Sequence, residues 1–157
     1  LPQPVAWDDP CHLCHGQGVR REPRALLDRI TGCERVELPE SESCCGSAGI
    51  YALLRPADSR AIFAKKLAAL EQTGADVLVT ANPGCQMQWE TGLLRAGSRV
   101  RVMHLAELLA LSRLLALEQA NAFLEHMLVH EALFAAGDCP AGSRPPAALG
   151  KPHGLAL

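Results

Sequence analysis

The chain has 157 residues, 48% of them hydrophobic and 20% charged, and a formal net charge of −2. That size and balance suit one globular domain with a core of its own. The slight negative charge, with only three Phe, two Trp and one Tyr, excludes a basic or base-stacking nucleic-acid surface.

The seven cysteines stand at positions 11, 14, 33, 44, 45, 85 and 139. An odd count without a secretory signal argues against a disulfide framework and for thiols used in metal or redox chemistry in a reducing compartment. No stretch reaches the roughly 18 uninterrupted apolar residues that cross a bilayer. A chain opening on Leu1 reads as a fragment or a processed piece.

Residues 4–8 form a short apolar run ending in Asp8-Asp9-Pro10, as expected of a strand entering a turn, with the two carboxylates in turn chemistry. Cys11 follows at once. Residues 20–30 read as a helix with Pro23 in its first turn, Leu26, Leu27 and Ile30 on one face, and Gly32 beyond its end. Residues 35–38 make a second strand, followed by an acidic turn and by Ser43-Cys44-Cys45-Gly46-Ser47-Ala48-Gly49. Residues 57–72 are a helix with a Phe63, Leu67, Leu70 stripe and a solvated Lys65-Lys66 patch. Residues 76–80 are nearly all apolar, the pattern of a strand covered on both faces, and run into Asn82-Pro83-Gly84-Cys85. A helix over 86–95, a strand over 100–103 and a long Leu- and Ala-rich helix over 105–136 complete the pattern. Residues 137–157, rich in Gly, Pro and Ala, are expected to be disordered.

Strand, loop and helix in alternation predict an α/β fold: a mainly parallel sheet with flanking helices, a long C-terminal helix and a disordered tail. In such a sheet the loops leaving the C-terminal ends of the strands share one rim, where ligands bind. Cys11, the Cys44-Cys45 pair and Cys85 each follow a different predicted strand, so four thiols distant in sequence should meet there. The gaps, residues 12–43 and 46–84, each leave room for a helix and most of a strand. Each loop is expected to lead into a helix, whose N-terminus would lower a thiol pKa.

Four cysteines suit either zinc or an iron–sulfur cluster. Adjacent thiols are awkward as two corners of one tetrahedral ion, and these four contain no Cys-x-x-Cys knuckle, so the spacing favours a cluster, with zinc as the alternative. A reversible disulfide between neighbouring thiols is a third reading, and a pair of buried apolar cysteines the bland one. His12 and His15 are read as hydrogen-bonding neighbours of Cys11 more than as ligands, and Gly46 and Gly84 as bringing backbone amides to the sulfurs. Cys14 is read as an accidental neighbour, Cys33 as a partly buried helix-end residue, and Cys139 as part of the tail. No Gly-rich phosphate loop or Gly-x-Ser-x-Gly elbow is present.

Asp9-Pro10-Cys11-His12, Cys44-Cys45-Gly46-Ser47-Ala48-Gly49 and Asn82-Pro83-Gly84-Cys85 together resemble the cysteine-rich CCG domain of the heterodisulfide reductase superfamily. His15-Gly16-Gln17-Gly18-Val19-Arg20, Val36-Glu37-Leu38-Pro39-Glu40 and Gly49-Ile50-Tyr51 resemble its glycolate oxidase iron–sulfur branch. The likeness covers about residues 5–112. It implies Cys11, Cys44, Cys45 and Cys85 as ligands of an iron–sulfur cluster of the 4Fe-4S type. It also implies an electron-transfer part of an oxidoreductase that carries no catalysis alone. The implied partners are a flavin-containing dehydrogenase subunit oxidising glycolate to glyoxylate, a ferredoxin-like N-terminal part of the same subunit that this chain lacks, and, indirectly, the quinone pool. The implied place is the cytoplasm, peripheral to the inner membrane. Gln88 stands where some CCG domains carry a further Cys-x-x-Cys thiol, so a five-cysteine site is not expected. On this reading residues 1–112 are the cysteine-rich domain, 113–136 a helical extension and 137–157 the tail. The rival class is a structural module in a related 2-hydroxy-acid or glycerol-3-phosphate dehydrogenase complex, its cysteines on zinc or metal-free.

Overall fold

The computed structural model describes residues 3–135. Its strands are β1 (Gln3–Trp7), β2 (Cys33–Val36), β3 (Val77–Thr80) and β4 (Arg101–His104). Its helices are α1 (Arg21–Asp28), α2 (Tyr51–Leu54), α3 (Pro56–Glu71), α4 (Pro83–Ala96) and α5 (Leu105–Ala135), with a π-helical turn over His12–Gly16. The strands form one four-stranded sheet in the order β2-β1-β3-β4. Every pairing is parallel, with Val5 opposite Val77 and Leu78 opposite Val102. The α/β fold expected from the alternation is the observed one. The expected tail over 137–157, with Cys139, lies outside the described residues.

Successive strand residues face opposite sides of a sheet, and the apolar runs of β1 and β3 use both. Ala6 and Leu78 face Phe63, Ala69 and Leu70 of α3 and Trp89 and Leu93 of α4. Val5, Trp7, Val77 and Val79 face Leu27 of α1, Ile30, and Leu105 and Leu108 of α5. Each side of the sheet thereby has its own core. Gly92 lets α3 and α4 approach closely: a Cβ built there would lie 2.0 Å from Phe63 Cε1. Phe63 meets Trp89 edge-on, with centroids 4.9 Å apart.

The chain leaves β1 for β2 on one side and then returns past β1 to β3 and β4 on the other. Reversal at the β1–β3 boundary opens a crevice beyond the C-terminal ends of these two central strands. Cys11 follows β1 and Cys85 follows β3, so the topology alone sets two of the thiols beside that crevice.

Several boundaries move by one or two residues, as element ends do. The prolines expected just ahead of α3, or in the loop before α4, are their first residues, Pro56 and Pro83, where the missing N–H costs nothing. The second strand starts at Cys33, and Leu38 beyond its end is still a core residue. The π-helical turn and the short α2 have no clear signal in the sequence. The first compact unit, Leu1–Ala116, holds the sheet and all four rim thiols, and the second begins at Leu117.

Two expectations about charge are overturned. Lys66 is 1% exposed, not part of a solvated patch, and Asp8 and Asp9, expected in turn chemistry, are fully buried with ion-pair partners. The periodicity of α3 hides Lys66, because an ammonium on its inward face is tolerated only when a partner waits there, and that partner comes from the end of β1.

Candidate functional site

The crevice is an open cavity of about 670 Å³, and Cys11, Cys44, Cys45 and Cys85 all line it. His12, Ser47, Asn82, Gly84, Gln88, Thr91, Arg60 and Arg95 line it as well. Three connections from three strands supply the thiols. Cys11 caps the π-helical turn. Cys85 sits in the first turn of α4, where Asn82 caps the helix and its Oδ1 accepts the Cys85 amide at 3.0 Å. Cys44 and Cys45 lie in the loop that leads into α2, several residues before its first turn.

The loop supplies its own amides. Gly46 N donates to Cys44 Sγ at 3.3 Å, and the Ser47 amide hydrogen-bonds Cys45. Gly46 is required by geometry twice over. Its φ is +84°, and an added Cβ would lie 2.6 Å from the Ser59 carbonyl oxygen. Ser59 Oγ donates to Gly46 O at 2.8 Å and accepts from Gln88 Nε2 at 3.1 Å. The residue standing at the further-cysteine position thus braces the loop through Ser59.

Cys45 and Cys85 are buried, and their sulfurs are 3.3 Å apart, sharing a hydrogen bond. The shared bond acts on the two thiols in opposite directions. It holds Cys45 down at about 7 against the opposing effect of burial, while the Cys85 thiol is driven up by the same bond and by burial. Burial also raises Cys44. The depressed thiol pKa expected at the rim is found at Cys45, while Cys44 and Cys85 move the other way. Among the described residues, no three His, Cys, Asp or Glu side chains are grouped to hold one metal ion. The four thiols border a cavity rather than converge on a point.

Of the residues expected around the thiols, His12 lines the cavity and is exposed. His15 does not line it. Its Nε2 donates to Glu42 O at 3.0 Å and its Nδ1 accepts from Arg20 Nη2 at 3.4 Å, which ties the π-helical turn to the chain leading into Cys44. Gly84 lies against Ser47 Oγ and Asn82 Oδ1. Cys14 is buried with its Sγ toward Cys11 O at 3.7 Å, and Cys33 opens β2; neither lines the cavity.

Sequence reasoning missed the buried charges behind the rim. Asp9 accepts from Trp7 Nε1 at 2.6 Å, from Arg24 Nη1 and Nη2 at 3.0 and 2.6 Å, and from Ser41 Oγ at 2.8 Å. Burial alone would raise its pKa, but these hydrogen bonds and the Arg24 charge together hold it below the usual carboxylate value. Asp8 meets the Lys66 ammonium and accepts from Thr80 Oγ1 at 3.2 Å. Burial pushes its pKa up despite Lys66. Lys66 also donates to Ser41 O at 2.8 Å and Ser43 O at 2.7 Å. Both aspartates therefore fasten the segment that precedes Cys44 to the exit of β1. A signal did exist: two acids between an apolar strand and Pro10 need buried cations once the strand is central.

A parallel α/β sheet with cysteines at its carboxyl rim defines a cysteine-rich domain class. The chain belongs to the CCG family, "Cysteine-rich domain", whose family model matches residues 5–90. It is 46% identical over 110 residues to a Bacillus subtilis (strain 168) protein named "Probable glycolate oxidase iron-sulfur subunit", covering 69% of this chain and 25% of that protein. It is 38% identical over 106 residues to a fumarate reductase (CoM/CoB) subunit of Methanothermobacter marburgensis, covering 67% of this chain and 22% of the relative. It is 38% identical over 99 residues to "Lactate utilization protein A" of Bacillus subtilis (strain 168), covering 63% and 42% respectively. The chain thus spans less than half the length of each of these relatives.

Proposed function

We propose that this chain is an iron–sulfur electron-transfer domain of an oxidoreductase complex, with Cys11, Cys44, Cys45 and Cys85 as the cluster ligands. The observation that carries the reading is the meeting of these four thiols, from three strand-exit loops, around one cavity. The donor set fits the group: four sulfurs, no carboxylate in the lining, and backbone amides of Gly46 and Ser47 directed at sulfur, the contacts that tune such clusters. Four thiols along one cavity wall, two of them adjacent in the chain, favour a cluster of several metal atoms over zinc. A bound cluster supplies one-electron redox chemistry; no side chain here needs to act as acid, base or nucleophile.

The protein's own part is to present thiolates and keep them in place. The hydrogen bond shared with Cys85 favours the thiolate at Cys45, the form that binds a metal. The Ser59–Gln88 brace holds Gly46, and the buried aspartate contacts hold the segment before Cys44. His12 and Gly84 border the site, and His15 supports it from behind.

The finer reading is a glycolate-oxidising complex, in which a flavin-containing subunit converts glycolate to glyoxylate and this domain passes electrons on towards quinone. The relative named as a glycolate oxidase iron–sulfur subunit, the most identical of the three, supports it. The cluster is of the 4Fe-4S type, and the complex works in the cytoplasm beside the inner membrane. Alone, the chain oxidises no glycolate. Among the described residues no helix is long and apolar enough to cross a membrane. Residues 1–112 act as the cluster domain, and 113–136 as a helical extension.

The test is anaerobic purification of the full chain, iron, sulfide and zinc analysis, and visible and EPR spectra, with Cys45→Ser in parallel. Iron and sulfide present in the parent and lost in Cys45→Ser is the expected result. Zinc in place of iron, or no metal after anaerobic reconstitution, would leave a structural module instead. Reduction of the reconstituted domain by a glycolate-reduced flavin subunit, and not by one reduced with lactate or glycerol 3-phosphate, tests the substrate.

A further inference from the structure

The Asp8–Lys66 pair is a buried charge pair that thiol ligation does not account for. Lys66 comes from α3 and Asp8 from the residue after β1, and each side chain is 1% exposed. Among the described residues Lys66 is the only basic side chain that is buried. Such a pair seldom adds net stability, because desolvating two charges offsets their attraction, and apolar replacements often do as well. Its position suggests a different use. The three protons of the Lys66 ammonium have three acceptors, the Asp8 carboxylate, Ser41 O and Ser43 O. The two carbonyls lie in the segment that runs directly into Cys44 and Cys45. One ammonium therefore joins α3, the exit of β1 and the thiol loop. Lys66 Nζ lies 2.7 Å from Ser43 O, the carbonyl of the residue directly before Cys44, with Asp8 against it, so both charges stand beside the thiol loop.

We propose that Asp8 and Lys66 are positioning residues of the thiol site: Lys66 clamps the segment before Cys44, and the two opposed charges set the reduction potential of the group the thiols hold. This rests on the iron–sulfur reading above. Adding an electron makes the site more negative, so a neighbouring cation eases reduction and a neighbouring anion resists it. Removing the anion and removing the cation must then move the potential in opposite directions. A purely structural pair has no reason to do so.

The experiment uses the full chain as Asp8→Asn, Lys66→Gln and the double variant. Each is reconstituted anaerobically with iron and sulfide and titrated for its midpoint potential by EPR. Hydrogen exchange is followed on the metal-free forms. Asp8→Asn, in which Lys66 keeps its charge and both carbonyls, should raise the potential and leave exchange in residues 43–46 near the parent rate. Lys66→Gln should lower the potential and speed that exchange tenfold or more, and the double variant should fall between the two singles in potential. Shifts of one sign, or no shift with iron and sulfide content intact, overturn the charge-setting role. Unchanged exchange in Lys66→Gln overturns the clamp. Should Lys66→Gln not fold, an unraised potential in Asp8→Asn overturns the proposal by itself. A parent that takes up no iron or sulfide defeats the iron–sulfur reading and the charge-setting role with it, while exchange in the metal-free chains still decides the clamp.

Discussion

Replacing Asp9 by Ala should be among the most damaging single changes that leave every thiol in place. Its carboxylate is wholly buried and accepts four hydrogen bonds of 2.6 to 3.0 Å, two of them from the Arg24 guanidinium. Truncation strands the Trp7 indole N–H, the Ser41 hydroxyl and a partly buried cation together. Breaking a buried ion pair by removing one partner costs about 3–5 kcal/mol, against a total stability of about 5–15 kcal/mol. With a urea slope of about 2 kcal/mol per M, the unfolding midpoint should fall by roughly 2 M at unchanged slope. The assay is urea unfolding of the metal-free chain at neutral pH.

The same residue dictates a pH signature. The Asp9 pKa is lower folded than the ordinary 3.8, so the unfolded chain binds more protons than the native one as the solution is acidified. Its contribution is complete above the unfolded value and is lost as pH falls from there through the folded pKa. The parent should shed this stability below about pH 4, and Asp9→Ala should lack that component. Asp9→Leu with Arg24→Met, removing both partners together, should recover much of the loss. A cost under about 1 kcal/mol for Asp9→Ala, or an acid transition unchanged by it, would show that these contacts do not carry the rim.

Three further outcomes follow from the packing. Gly46→Ala, forced to φ +84° against the Ser59 carbonyl, should lose about 1–3 kcal/mol in urea unfolding and retain less iron after gel filtration. Gly92→Ala should lose about 1–3 kcal/mol through overpacking on Phe63, despite the better helix former, and Phe63→Leu in the same chain should restore most of it. Asn82→Ala removes the cap on α4 and the acceptor of the Cys85 amide, so about 1 kcal/mol of stability should go, read as a lower thermal midpoint.

The architecture was legible because its signals are local. Val77-Leu78-Val79 has no polar interruption, Pro56 and Pro83 mark helix starts, and the cysteines fall in the connections that follow apolar runs. Parallel topology then does the rest, since loops from the carboxyl ends of strands have no other edge to occupy. The positions of Cys11, Cys44, Cys45 and Cys85 around one cavity follow from that rule alone. Their protonation does not. It depends on a 3.3 Å contact between Cys45 and Cys85, forty residues apart in the chain, and no spacing argument contains that distance.

What the sequence concealed is the set of charges that make the rim rigid. Lys66 and Lys65 are identical as letters, yet Lys66 is buried on the inward face of its helix and Lys65 is not. The identity of its partner depends on β1 being a central strand, which is a property of the whole sheet. Asp8 and Asp9 alternate in the same way, one toward Lys66 and Thr80, the other toward Arg24 and Trp7. The period-two alternation that gives each face of the sheet its apolar core thus continues past the end of β1 in carboxylates. Both of them reach the segment before Cys44 from below, Asp9 through the Ser41 hydroxyl and Asp8 through Lys66. A loop that must hold adjacent thiols open to a cavity cannot bury apolar side chains on that side. Polar anchors from the strand end are the remaining way to hold it still, and this is why the buried charges collect beneath the cysteine pair.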